Sequence, residues 1–104
     1  MRSVPSKPGR PYVACVGGTD ATVVWTRREA DITAYVIKYG DELTHVDDYA
    51  TVKVVGDTTN FTFTDQLKDR KNYRFAVAAV NTAGEGEFSE FSEYVRTGVG
   101  KYSD

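Results

Sequence analysis

Apolar and polar residues alternate one by one in short runs all along this chain, and a period of two leaves little option but pleated strands that bury one face. In residues 21–26 the alternation sends Ala21, Val23 and Trp25 to one side and Thr22, Val24 and Thr26 to the other. Residues 33–40 repeat the pattern, with Tyr35, Ile37 and Tyr39 opposed to Val36 and Lys38. Ala50, Val52 and Val54 alternate with Thr51 and Lys53; Phe61 and Phe63 mark a shorter run; Tyr73, Phe75, Val77 and Ala79 form the clearest inward set. Tyr12–Val16 reads as a peripheral strand, confined to an edge by Pro8 and Pro11, and Val95 with its neighbours supplies the last. Clusters such as Gly17-Gly18-Thr19-Asp20, Gly40-Asp41 and Gly56-Asp57 break the runs apart. Seven strands with turn signals at short intervals predict an all-β antiparallel sandwich.

Size and charge narrow the options further. At 104 residues the chain holds one domain, because a sandwich of the immunoglobulin type needs about 100 residues. Residues 8–98 are expected to form it, with a flexible leader at 1–7 and a flexible tail at 99–104. Thirteen Lys and Arg against fifteen Asp and Glu give a formal charge of −2. No broad cationic field is available to attract phosphates, so nucleic acid is not an expected partner. No apolar run approaches the roughly 18 residues that span a bilayer, so no direct membrane insertion is expected. Cys15 is the single cysteine. No internal disulfide and no cysteine-based zinc site is therefore possible within the chain, and the thiol reads as a small buried hydrophobe.

The positions of the aromatic residues are more specific. An antibody-type domain carries a cysteine pair across its sheets and a Trp on the third strand. Here the Trp is on the second strand, at Trp25, Phe75 stands where a cysteine would be, and the third strand carries Tyr35 and Tyr39. Trp25, Leu67 ahead of the sixth strand and Tyr73 six residues after that Leu resemble the marks of the fibronectin type III family. The run from Tyr73 through Val77-Ala78-Ala79-Val80-Asn81-Thr82-Ala83-Gly84 to Gly86 is similar to its sixth strand and following loop, and Tyr35-Val36-Ile37-Lys38-Tyr39-Gly40 to its third. The resemblance covers roughly residues 8–97 and implies a seven-stranded immunoglobulin-like sandwich. Trp25, Tyr35, Leu67 and Tyr73 are its expected structural core. Tyr73, near a strand start, is placed to close the preceding loop by hydrogen bonding to upstream backbone, as in a tyrosine corner. Two features depart from the pattern: the step from Phe63 to Leu67 is one residue longer than the family usually shows, and Phe88 and Phe91 stand where the family often has proline.

Little in the chain suggests chemistry. His45 with Asp41, Glu42, Asp47 and Asp48 has some metal-binding character, but the spacing of a calcium loop is absent and the run reads as a solvated connection. Gly84-Glu85-Gly86 lacks the third glycine and the following helix of a phosphate loop. No catalytic residue, metal or cofactor is expected. Asn60-Phe61-Thr62 fits the N-glycosylation acceptor pattern. Aromatics at every third position in Phe88, Phe91 and Tyr94 read chiefly as cover for the sandwich edge.

The resemblance implies a monomeric, non-catalytic protein-binding or spacer module of a larger extracellular or cell-surface protein of the adhesion or receptor kind, partnered by other proteins and by neighbouring domains of its parent chain. Recognition is expected at Asn81, Thr82, Glu85, Glu87 and Phe88, since loops held by a rigid sandwich commonly carry it. A structural repeat of an intracellular filament-associated or muscle protein, and an accessory domain of an enzyme, remain as alternatives. The lone cysteine suits the first of these two.

Overall fold

The computed structural model describes residues 3–98, so the tail at 99–104 and the first two residues of the leader lie outside the described residues. Eight strands appear among them: β1 (Tyr12–Val16), β2 (Ala21–Val24), β3 (Ala34–Asp41), β4 (Ala50–Val55), β5 (Asn60–Phe63), β6 (Asn72–Asn81), β7 (Gly84–Glu85) and β8 (Val95–Arg96). They form two antiparallel sheets. One has the order β1-β2-β5; the other runs β4-β3-β6-β7, with β8 also paired to β6. The fourth strand therefore joins the third rather than the fifth. The last strand of the sequence reading is β8, and an additional short strand, β7, forms within the run after β6 that reads as a loop; both pair with β6.

The two sheets face each other across the residues of the inward alternation. Val23, Ile37, Phe63, Phe75 and Val77 have no exposed surface at all. Trp25 and Tyr35 are buried with their rings 5.1 Å apart at 54°, and Phe63 packs within 4.7 Å of Tyr39 and 5.4 Å of Phe75. Tilted and edge-on pairs of this kind add about 0.5–1.5 kcal/mol each beyond area burial. Leu67 is buried beneath its polar loop. The hydroxyl of Tyr73 accepts the backbone N–H of Lys68 at 2.8 Å and so closes that loop over the end of the core.

Cys15 is exposed, which corrects the reading of it as a packed residue. A bulge is the cause. Val13 pairs with Val23, but Cys15 pairs with Thr22, so Ala14 is an extra residue and the facing reverses between them. Strict alternation would have kept Cys15 on the inward side with Val13. The extra residue puts it on the outer side with Thr22.

Residues 3–7, read from the sequence as a flexible leader, lie against the loop pole of the domain. Pro5 is buried, the Ser3 carbonyl accepts the Asn81 side-chain amide at 2.9 Å, and the Glu29 carboxylate accepts both the backbone N–H and the hydroxyl of Ser6. Those two bonds hold the Glu29 carboxyl below its ordinary value. Gly86 makes room for this strap, because a Cβ there would sit 2.1 Å from the Pro5 carbonyl oxygen. At the other pole Thr97 bonds to Lys68 and Lys71, and Gly98 donates to the Gly17 carbonyl.

Truncating Trp25 to Ala should cost about 3–5 kcal/mol in urea unfolding, as for large aromatic core residues. Tyr73→Phe should cost about 1 kcal/mol through the corner hydrogen bond alone. Alkali gives a separate check on Tyr35. Burial, and then the Asp57 carboxylate that its hydroxyl bonds, raise its phenol above the ordinary value of 10.0. The stability this contributes is fully present below the unfolded value and is lost as pH rises through the higher folded value. Tyr35→Phe should therefore flatten the fall in melting temperature above about pH 10; an unchanged slope would contradict the assignment.

Candidate protein-binding surface

The surface is built around β6, whose carbonyls at Ala79, Val77 and Phe75 accept from the backbone N–H groups of Gly86, Ser89 and Ser92. Three residues of the outer segment thus advance against two of β6. A regular strand would advance two for two, so each step carries an extra residue and leaves a β6 N–H without a backbone partner. The serines fill that gap. The Ser89 hydroxyl accepts the Val77 N–H and the Ser92 hydroxyl accepts the Phe75 N–H, both at 3.0 Å, and each donates in turn to the next residue's carbonyl at 2.9 Å. Both serines are buried.

The same period of three brings Phe88, Phe91 and Tyr94 beside side chains of the outer sheet face. Lys38 Nζ lies 4.4 Å from the Phe88 centroid and 5.7 Å from that of Phe91. The Arg74 guanidinium lies 4.2 Å from the Phe91 ring, 5.1 Å from Tyr94 and 5.5 Å from Tyr49, and its Nε donates to the Tyr49 hydroxyl at 2.9 Å. Tyr49 reaches this position because Gly40 has no side chain: a Cβ there would fall 2.2 Å from its ring. The Tyr94 phenol is raised above its ordinary value, first by the Tyr49 hydroxyl and then by burial, with Arg74 pulling the other way. Cation–π contacts at half-exposed sites contribute about 0.5–1 kcal/mol each. The result is an ordered stack of rings and cations on the outer face.

The residues singled out from the sequence occupy different environments. Thr82, Glu85 and Glu87 are exposed, with Thr82 and Ala83 at the tip of a tight hairpin between β6 and β7. Asn81 is buried: its amide nitrogen holds the Ser3 carbonyl and its oxygen accepts the Ala83 N–H at 2.8 Å. It shapes the loop and docks the strap. Phe88 is half-buried against the Lys38 ammonium. The structure therefore brings Thr82 and Glu85 together at one pole and places Phe88 on the sheet face. Lys38, Arg74, Tyr49, Ser89 and Ser92 were not singled out as site residues. The repeat of Phe-Ser at a spacing of three, Phe88-Ser89 and Phe91-Ser92, is the sequence signal that points to the serines.

Asn60 is exposed at the start of β5. His45 caps the 3-10 turn Val46–Asp48, its Nδ1 accepting the Asp47 N–H at 3.1 Å. Among the described residues no group of three or more His, Cys, Asp or Glu side chains is placed to hold a metal ion.

Comparison with known proteins agrees with this architecture. A model described as the fibronectin type III domain matches residues 6–95. Domains A168-A170 from titin superpose with a TM-score of 0.80 at 26% identity, covering 92% of this chain and 33% of that one. The FN1-FN3 domains of chicken CNTN1 give a TM-score of 0.79 at 22% identity, covering 94% of this chain and 34% of that one. The fn3 domain of human contactin 1 gives 0.79 at 21% identity, with 97% and 85% coverage. The chain thus spans about a third of the titin and chicken structures.

Ser89→Ala or Ser92→Ala should each cost about 1–3 kcal/mol, because a buried N–H of β6 loses its acceptor. Urea titration of each variant checks this. A loss below about 0.5 kcal/mol, ordinary for a surface change, would mean that water replaces the hydroxyl.

Proposed function

The chain belongs to the fibronectin type III family, and on that premise we propose that it is a non-catalytic protein-binding or spacer module of a larger multidomain adhesion or receptor protein at the cell surface or outside the cell. The observation that carries this reading is the division of the molecule. Its interior is closed by packed side chains, while the hairpin tip and the outer sheet face present ordered, accessible groups. Ser3 and Gly98 lie at opposite poles, bonded to the 81–83 hairpin and to Gly17 respectively, a geometry that suits domains joined in series. Thr82, Glu85, Glu87 and Phe88 are the proposed contacts, with Asn81 setting the loop that carries the first of them. The exposed Asn60 acceptor supports passage through the secretory route.

A second reading is a structural repeat of an intracellular filament-associated protein. It is favoured by the exposed, unpaired thiol of Cys15, which suits a reducing compartment, and by the similarity to titin.

Mass spectrometry of the native parent protein separates the two. Enzymatic deglycosylation in heavy-oxygen water should convert Asn60 to labelled Asp in material from the surface fraction. An unmodified Asn60 in protein recovered from the cytosol would reverse the order of the readings. In the same parent, the pair Glu85→Lys and Glu87→Lys should weaken retention of its native partner about tenfold with an unchanged melting temperature.

A further inference from the structure

Three cations stand in a diagonal line across the outer face of the five-stranded sheet. Lys53 of β4 is opposite Val36, Lys38 of β3 is opposite Thr51 and Ala76, and Arg74 of β6 is opposite Gly40. Each is displaced from the next by one strand and two residues, a diagonal spacing of about 7–8 Å. None of the three makes an ion pair with another described residue, although the protein carries a net charge of −2. Three acids along the margin are engaged: Glu90 by Lys7, Glu93 by Arg10, and Glu42 by the Asn72 amide.

Two of the cations are also held in place. Lys38 rests on Phe88, and Arg74 is wedged among Phe91, Tyr94 and Tyr49 with its Nε already bonded. A side chain immobilised beforehand loses little freedom on contact, so most of its charge-assisted hydrogen-bond energy remains available for binding. Beside Arg74 lies a depression of about 450 Å³ lined by Arg10, Phe91, Ser92 and Tyr94 and rimmed by Glu90 and Glu93, the two acids paired with Lys7 and Arg10. At the other end of the line Val55 is 81% exposed and Tyr94 at this end 43%, so both ends offer apolar surface.

We infer that this line is a docking surface for an acidic, extended segment of another protein. Carboxylates on alternate residues of an extended chain recur about every 6.6–6.8 Å on one face, which matches the cation spacing. The apolar ends receive the intervening side chains. A polyphosphate fits less well, because three cations without a broader field do not replace its counterions. The inference rests on the reading of the chain as a protein-binding module and supplies the chemistry of its partner.

The test is a nuclear magnetic resonance titration of the 104-residue protein with a synthetic peptide of alternating glutamate and threonine, repeated at rising salt. Shifts should centre on the amides of Lys38, Lys53 and Arg74 and fade with salt. Lys53→Glu, on an exposed edge, should weaken binding about tenfold, while Lys68→Gln, an exposed cation in the loop ahead of β6 and off this face, should leave it unchanged. Lys53→Gln, with a smaller loss in the same direction, covers the case in which the reversed charge disturbs β4. Shifts centred elsewhere, equal affinity in the Lys53 variants, or tighter binding of single-stranded DNA or a heparin oligosaccharide of matched charge would overturn the inference. No peptide binding, with the Glu85 and Glu87 variant still releasing the native partner, overturns this surface and leaves the module reading standing. Loss of neither interaction in any variant overturns both.

Discussion

β6 is buried on both of its faces, so its peptide groups have no water to turn to. Phe75, Ala76, Val77 and Ala78 are all fully buried. An unpaired N–H in such a strand costs about 1–3 kcal/mol, and every one must therefore find a partner in the protein. On one edge β3 provides them in regular register from Ala34 to Asp41. On the other edge the chain returns irregularly, and buried serine hydroxyls stand in where the ladder is broken.

That substitution sets the character of the outer surface. Because each step along β6 consumes three residues of the returning segment, its aromatic residues come round on one side and meet the cations of β3 and β6. Ala76 and Ala78, which face away from the core, are buried beneath this second layer. A sheet face that in an ordinary antiparallel sandwich would be polar and wet instead carries ordered rings and positive charge. Structural necessity and the proposed docking surface share the same atoms there, since a stacked cation is both packed and presented.

The opposite pole shows a different economy. Asn81, Glu29 and Gly86 are used to hold residues 3–7 rather than left free, so the strap and the loop that recognition was expected to use form one unit. What remains accessible is the hairpin tip and the acidic edge beyond it. The accessible part of the loop is thus shorter than the polar run in the sequence suggests.

Two facing layers, their strand positions and the family followed from the amino-acid sequence alone, because period-two alternation is a local property and each inward face could close only against another. The environments of Trp25, Tyr35, Leu67 and Tyr73 follow from the same alternation and from lone apolar residues in polar surroundings. Tertiary structure decided the rest. A single extra residue at Ala14 turned Cys15 outward, and no local pattern announces a bulge whose partner strand lies elsewhere in the chain. Asn81 turned inward because Ser3, 78 residues away, needed its amide. The diagonal of Lys53, Lys38 and Arg74 exists only in the register of three strands, and register is a relation between distant segments that composition and periodicity do not contain.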